Sequence, residues 1–393
     1  MNKTRLQEEK LISYLSKIEC HSDNLKLVCD LSNYLAQQCN MNQLIFASCQ
    51  FKNFWKALFD YSMENKQYFY FDDSWVESKE IFNAHGFRLL GLLIWTADKE
   101  DWDKLKAAFH ETIKEENEDS VVIRAAYAYS MTKIYILDQE YLYSILHSIF
   151  YGSYQDMMVD LFLNRNRITE PSFFDELYSQ GILSLIVSYQ SKIDGVTYFL
   201  SFLVALFIKG KLSEKTLDIV LSNLKEQNIV LGGILKLKEQ VNELNEDEAK
   251  RIKTVLTKIK EAKDVCFDAL VILLLEMMKS SSLLKKYIWE DVLELAKRGF
   301  KDTYLGEVKK YFCEETFLTN EEKIILLESV LKKGEINELY NKEMIQIFDS
   351  IDWSEDKDRF HELIVIIQRQ NMELSGQLMR QFQSKYERID CAA

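Results

Sequence analysis

The chain contains one proline, Pro171, and 12 glycines among 393 residues. Average usage is about 5% and about 7%. Sheet-rich domains spend these residues on turns, and proline also breaks helices. Their scarcity predicts an all-α chain of long helices joined by short connections. The apolar pattern agrees, since no convincing period-2 alternation occurs.

Several stretches carry complete helix signals. In Thr319–Gly334, Thr319 and Glu322 have capping-box spacing, Ile324, Leu327 and Leu331 form one apolar stripe, and Gly334 supplies a stop. Asn245 and Glu248 repeat that spacing before a face of Ala249, Ile252, Leu256 and Ile259, and Ser74 and Glu77 repeat it again. Val196–Ile208 and Val265–Met278 are apolar nearly all round, so both need cover on several sides. The first is too short for the roughly 20 residues of a membrane helix and reads as a core helix.

These signals predict about 18–20 helices of roughly 10–20 residues. The arrangement expected is an elongated array of degenerate antiparallel helix pairs, a solenoid similar to HEAT/armadillo or TPR arrays. Trp102, Leu105 and Phe109 match the first TPR signature positions, but Lys106 stands at the glycine position and Glu118 where alanine is wanted. The expected division is a helical region over 1–163, an inter-helix corner over 164–171, and a second helical region over 172–393. In the corner, Pro171 suits the first turn of a helix and Thr169 is the expected cap.

Charge and cysteine usage narrow the function. Lys+Arg total 49 against Asp+Glu 62, a net charge of −13, which disfavours nucleic acid and anionic membrane unless a local basic patch exists. The start shows no secretory or myristoylation pattern, and the terminal Cys391-Ala392-Ala393 is one residue short of a prenylation box. Seven cysteines are an odd number, consistent with reduced thiols. The chain is expected to be cytoplasmic, with no membrane partner.

Catalytic and cofactor motifs fail one by one. A helical zinc protease needs His at i and i+4 with Glu after the first. His110 and His361 are each followed by Glu, but position i+4 holds Lys114 and Val365. No arginine has a histidine five to seven residues later, as helical ribonucleases of the HEPN type require. Neither glycine-rich phosphate cradle occurs. Cys20, Cys29, Cys39 and Cys49 recur every nine or ten residues, too far apart for close zinc pairs, so buried thiols are expected. No catalytic residue, metal site or cofactor is predicted.

Two candidate surfaces remain. On the helix near residues 139–151, Leu142, Ile145, Leu146 and Ile149 form an aliphatic stripe. Tyr143, His147, Phe150 and Tyr151 form an aromatic stripe roughly 130° away. That second stripe either packs on a neighbouring helix pair or presents a partner-binding surface. Candidate anion contacts are Arg165 and Arg167 beside the corner, and Lys250, Arg251 and Lys253 in a basic run that extends to Lys263. Acid before base is also what a helix dipole favours in that run. The expected function is a non-catalytic scaffold or adaptor that binds another protein or peptide. The alternatives are a nucleic-acid- or phosphate-binding component that uses these basic patches, and a helical enzyme whose site is assembled from distant residues.

Overall fold

The computed structural model describes residues 59–60, 90–91, 93–95, 97–115, 120–222, 227–260, 265, 267–298, 300–301, 304–314, 316–332 and 338–387. Among them every regular element is helical and no strand occurs. No helix among the described residues is long and apolar enough to cross a membrane. The Cys20–Cys49 series, the Ser74–Glu77 box, Lys263 and Gly334 lie outside the described residues. Backbone contacts divide the chain into two compact units, Met1–Gly195 and Val196–Ala393.

The described helices of the first unit are α1 (Lys99–Lys114), α2 (Val121–Tyr129), α3 (Met131–Leu137), α4 (Gln139–Phe150), α5 (Gln155–Arg165), α6 (Pro171–Ser179) and α7 (Ile182–Ser188). Helix α2 is the centre, packed on α1, α3, α4 and α5, and every residue from Val121 to Ala128 is buried. It carries one charge, Arg124, wholly enclosed. The guanidinium donates to the backbone oxygens of Ile149 and Tyr151, and so satisfies carbonyls that the end of α4 leaves unpaired.

The corner behaves as a helix boundary. Helix α5 ends at Arg165 and Pro171 opens α6, but the N-cap is Glu170 and not Thr169. Proline forces its predecessor into extended backbone, and Glu170 sits at φ −71, ψ 129. The Thr169 amide donates instead to the Glu170 carboxylate at 3.0 Å. The Arg167 amide is held by Thr132 Oγ1 at 2.8 Å, and Ile168 is buried.

Helix α8 (Asp194–Ile208) leads into the second unit. That unit continues with α9 (Glu214–Ser222), α10 (Asn228–Leu235), a 3-10 segment (Lys238–Glu243), α11 (Glu246–Ile259), α12 (Asp268–Ser280) and α13 (Ser282–Ala296). It ends with α14 (Leu305–Phe312), α15 (Asn320–Leu331), a 3-10 turn (Glu338–Tyr340), α16 (Asn341–Asp349), α17 (Lys357–Gln368), α18 (Met372–Phe382) and a π-helical turn (Gln383–Glu387). Both described capping boxes form: Asn245 with Glu248 at 2.9 and 3.0 Å, and Thr319 with Glu322 at 3.2 and 2.9 Å. The predicted stripes on α11 and α15 are buried. The two all-apolar helices are covered as expected, with Leu203–Ile208 of α8 and Leu270–Leu275 of α12 buried.

Packing in this unit joins consecutive helices, α12 with α13 and α17 with α18, and also helices one apart. Helices α9, α11, α13, α15 and α17 each touch the next in that series, and α10, α12, α14, α16 and α18 do the same. Polar contacts show that most neighbours within a series run parallel. Gln227, the cap of α10, holds Asp268 at the start of α12 (2.9 Å), and Asn341 at the start of α16 meets Asn371 at the cap of α18 (2.8 Å). Arg359 at the start of α17 holds Glu321 at the start of α15 (2.9 Å). Helix α9 departs from this: Glu214 at its start pairs with Lys258 at the end of α11, so the two run in opposite senses.

Candidate functional site

The tyrosine-rich segment is divided between core and surface. Tyr127 and Tyr141 ring Trp102, with centroids 6.0 and 5.7 Å from the indole. Burial pushes the Tyr141 phenol up to about 12 and the Tyr127 phenol well above its ordinary value. The aliphatic stripe of α4, Leu142, Ile145, Leu146 and Ile149, is fully buried.

The aromatic stripe does not act as one face. Phe150 is fully buried, edge-on to Phe162 at 5.5 Å, and has no surface to offer. Tyr143 and Tyr151 are half-buried and His147 is exposed. The imidazole of His147 stacks on the Tyr151 ring, 4.3 Å apart and 16° from parallel. The Tyr143 hydroxyl accepts from Gln139 Nε2 at 2.8 Å and lies 3.4 Å from Ser172 Oγ, while its backbone oxygen accepts from Gln180 Nε2 at 2.8 Å. Tyr135, on α3, completes the surface at 6.3 Å from the Tyr143 ring. Partial burial raises its phenol, against the Ser172 hydrogen bond. Sequence periodicity missed Tyr135 because Asp138 breaks the helix between it and Tyr143. Its ring nevertheless falls eight residues upstream of Tyr143, a spacing that continues one face if the break is ignored.

The basic candidates belong to different units. Arg167 is exposed in the first unit, and its Nη1 folds back on the oxygen of Asn166 at 3.0 Å. Arg165 closes α5. Lys250, Arg251 and Lys253 lie on α11 in the second unit. Lys250 pairs with Glu246 at 2.8 Å. Arg251 sits against Gly210, whose left-handed backbone (φ +74) ends α8. A Cβ there would lie 2.5 Å from Arg251 Nη1. Arg251 therefore caps the negative end of α8, reaching the Ile208 oxygen at 3.5 Å. Arg298 repeats the device on the Ile259 oxygen, as Arg124 does on α4. Further along α11, Lys258 pairs with Glu214 and Asp218, and Lys260 with the buried Asp291. Only Lys253 of the three α11 candidates is exposed with no ion partner among the described residues. The charges of this run are thus largely used inside the chain.

Three carboxylates form a second recurring device. Asp138 caps α4, Glu248 stands in the first turn of α11, and Glu322 in that of α15. Each also takes a lysine from an earlier helix region: Lys106 at 2.7 Å, Lys209 at 2.9 Å and Lys285 at 2.8 Å. Partial burial would raise each carboxyl, but the lysine and the backbone amide outweigh it and hold all three below the ordinary range.

Nothing in the described residues assembles a metal site, since no group of three or more His, Cys, Asp or Glu side chains is placed to hold an ion. His110 meets the Tyr141 hydroxyl at 3.4 Å, and His361 packs edge-on to Phe360 and Phe382. Comparisons with protein-family models, with curated proteins and with solved structures found no match to this chain.

Proposed function

We propose that the chain is a non-catalytic array of helix pairs that binds another protein or peptide. The observation that carries this reading is the packing of helices one apart in the second unit, in which two series stack with mostly parallel neighbours. Stacked helix pairs leave side chains of successive helices aligned along a surface, and such arrays bind partners without catalytic residues. The surface proposed for contact is the tyrosine face of the first unit: Tyr135, Tyr143, His147 and Tyr151. Tyrosine gives a large contact area with few rotors to freeze. The use of the α11 basic run inside the chain favours this reading over an anion-binding one.

The test is a triple replacement, Tyr143→Ala, His147→Ala and Tyr151→Ala, in the full chain. Affinity capture with quantitative mass spectrometry is run beside thermal unfolding. The expected result is a set of proteins enriched by the parent chain and lost by the variant, with stability reduced by no more than about 2 kcal/mol in total, because these rings are only partly buried. Unchanged capture with a loss of about 3–5 kcal/mol, the range of core aromatic truncations, would assign the face to packing alone.

A further inference from the structure

Helices α8 and α10 meet at small residues. A Cβ on Gly232 would lie 2.7 Å from Ser201 Oγ, and one on Gly233 would lie 2.7 Å from Val204 Cβ, so the two backbones stand close. That approach carries Lys236, the C-cap of α10, onto the surface of α8, where its Nζ lies 5.1 Å from the centroid of the Phe202 ring. Phe202 is half-buried, and Tyr198, one turn before it on the same face of α8, is 77% exposed. Leu235, the residue before Lys236, is 52% exposed. Lys236 is thus an exposed cation set in apolar surface.

This cation lacks a counter-ion. Lys209, Lys258, Lys260 and Lys285 of the same unit each hold a carboxylate. Among the described residues no carboxylate pairs with Lys236. Helix α10 carries no charged residue, and the one charge on α8 is Asp194, at its start. The next lysine along the chain, Lys238, is committed to Glu276 at 3.0 Å. Partial burial draws the Lys236 amine below the usual lysine value, and no neighbouring charge offsets it. A partly desolvated cation gains more from an arriving anion than a hydrated one does. The contact with the ring holds the ammonium in place and leaves its donors available.

We propose that this surface binds a segment of another protein in which a carboxylate stands beside apolar side chains. The carboxylate meets the Lys236 ammonium above Phe202, and an apolar neighbour lies against Tyr198. A protein segment fits better than an anionic bilayer, because one lysine in a chain of net charge −13 does not hold a membrane surface that several bases are needed to bind. The site belongs to the second unit and the tyrosine face to the first, and neither proposal needs the other.

The probe is a fluorescein-labelled peptide with one aspartate between leucines, titrated with the full chain by anisotropy. A second peptide carries asparagine in place of the aspartate. The aspartate peptide should bind about fivefold more tightly, a margin of about 1 kcal/mol. Lys236→Met and Lys236→Gln should each remove that margin, and Lys236→Arg should keep it. Lys253→Met takes the same charge from another exposed lysine of this unit and should leave the margin unchanged. Tyr198→Ser should weaken both peptides by a similar factor, about threefold. Circular dichroism melts establish that each variant is folded, and two neutral replacements of Lys236 keep the test decisive if one is not. Equal binding of the two peptides by the parent chain would overturn the proposal, as would no binding, or a margin that survives both neutral variants. Loss of the margin in Lys253→Met as well would assign it to overall charge and overturn the proposal too. Binding of phosphatidylserine vesicles that Lys236→Met abolishes, with no peptide binding, would give the surface to a membrane instead.

Discussion

In the first unit, helices meet through rings. Phe150 stands edge-on to Phe162, Phe162 touches Phe173, and Phe173 touches Tyr135, so a chain of aromatics links α3, α4, α5 and α6. In the second unit, the cores of α8, α11, α12 and α15 are mostly aliphatic, rings gather where α16, α17 and α18 meet, and the side-chain bonds from helix to helix include rungs of charge. Lys209 to Glu248, Lys285 to Glu322 and Arg359 to Glu321 each span 37–39 residues. Apolar contact is non-directional and supplies most of the free energy. A charged rung contributes little energy but fits one register. The first unit is therefore expected to lose stability steeply when a ring is removed, and the second to lose little when a rung is removed.

The sharpest break of that contrast is Phe162→Ala. The ring is fully buried between Phe150 and Phe173, and its removal should cost about 3–5 kcal/mol, read from urea unfolding. A loss under about 1 kcal/mol would show that the aromatic chain is incidental. A weak point of another kind in the second unit lies where α10 approaches α8. A Cβ on Gly233 would lie 2.7 Å from Val204 Cβ and 2.9 Å from the Ser201 oxygen. Gly233→Ala should cost about 1–3 kcal/mol by overpacking, and Val204→Ala in the same chain should return part of it. No recovery in the double variant would mean that the atoms alanine keeps, the Cβ of residue 204 and the Ser201 oxygen, and not the valine methyls, set the distance.

Arg251 tests a different assignment within the second unit. As the cap of α8 it should contribute about 0.5–2 kcal/mol, so Arg251→Met should lower stability by that amount. Binding of inorganic phosphate or a short RNA should be the same for parent and variant. A fall in anion binding at unchanged stability would restore the anion-contact role expected from sequence.

The residues legible in sequence were those whose role is local. Asn245 with Glu248 and Thr319 with Glu322 are separated by three positions, and both boxes form. Pro171 marked its helix start, although the cap fell one residue later than the threonine suggested, because the pre-proline position itself becomes the extended cap. Partners from distant helices were illegible. Arg251 and Arg298 look like surface charge until their partners, the ends of other helices, are in place. The rungs also vary in length and donor: Lys106–Asp138 spans 32 residues and Lys209–Glu248 spans 39. A contact that needs only one base and one acid at a drifting separation leaves no repeat signature. Arg124 did leave a signal, a lone charge inside an apolar run, since such a residue is seldom fully buried unless it is paired.

The smallest expected effect is that of a single rung, and acid should expose it. The Glu322 carboxyl is drawn up by partial burial and drawn down further by Lys285 and the Thr319 amide, so its folded pKa lies below the ordinary value. A depressed folded pKa contributes stability above the unfolded pKa, about 4.3 for glutamate, and the contribution fades as pH falls through the folded value. Lys285→Met removes the lysine share and leaves the capping share. At pH 7 the variant should be less stable by no more than about 1 kcal/mol, and the gap should narrow below about pH 4 as Glu322 protonates in the parent. Lys106→Met in the first unit should show the same pH shape, because Asp138 is held down in the same way. Lys285 Nζ also lies 5.7 Å from the Trp289 ring and 5.3 Å from the Phe317 ring. Those contacts persist in acid, since lysine stays charged and the rings do not titrate. A gap that stays constant from pH 7 to about pH 3 would therefore assign the effect of Lys285 to the rings, and the register of α13 on α15 would then rest on packing, as it does in the first unit.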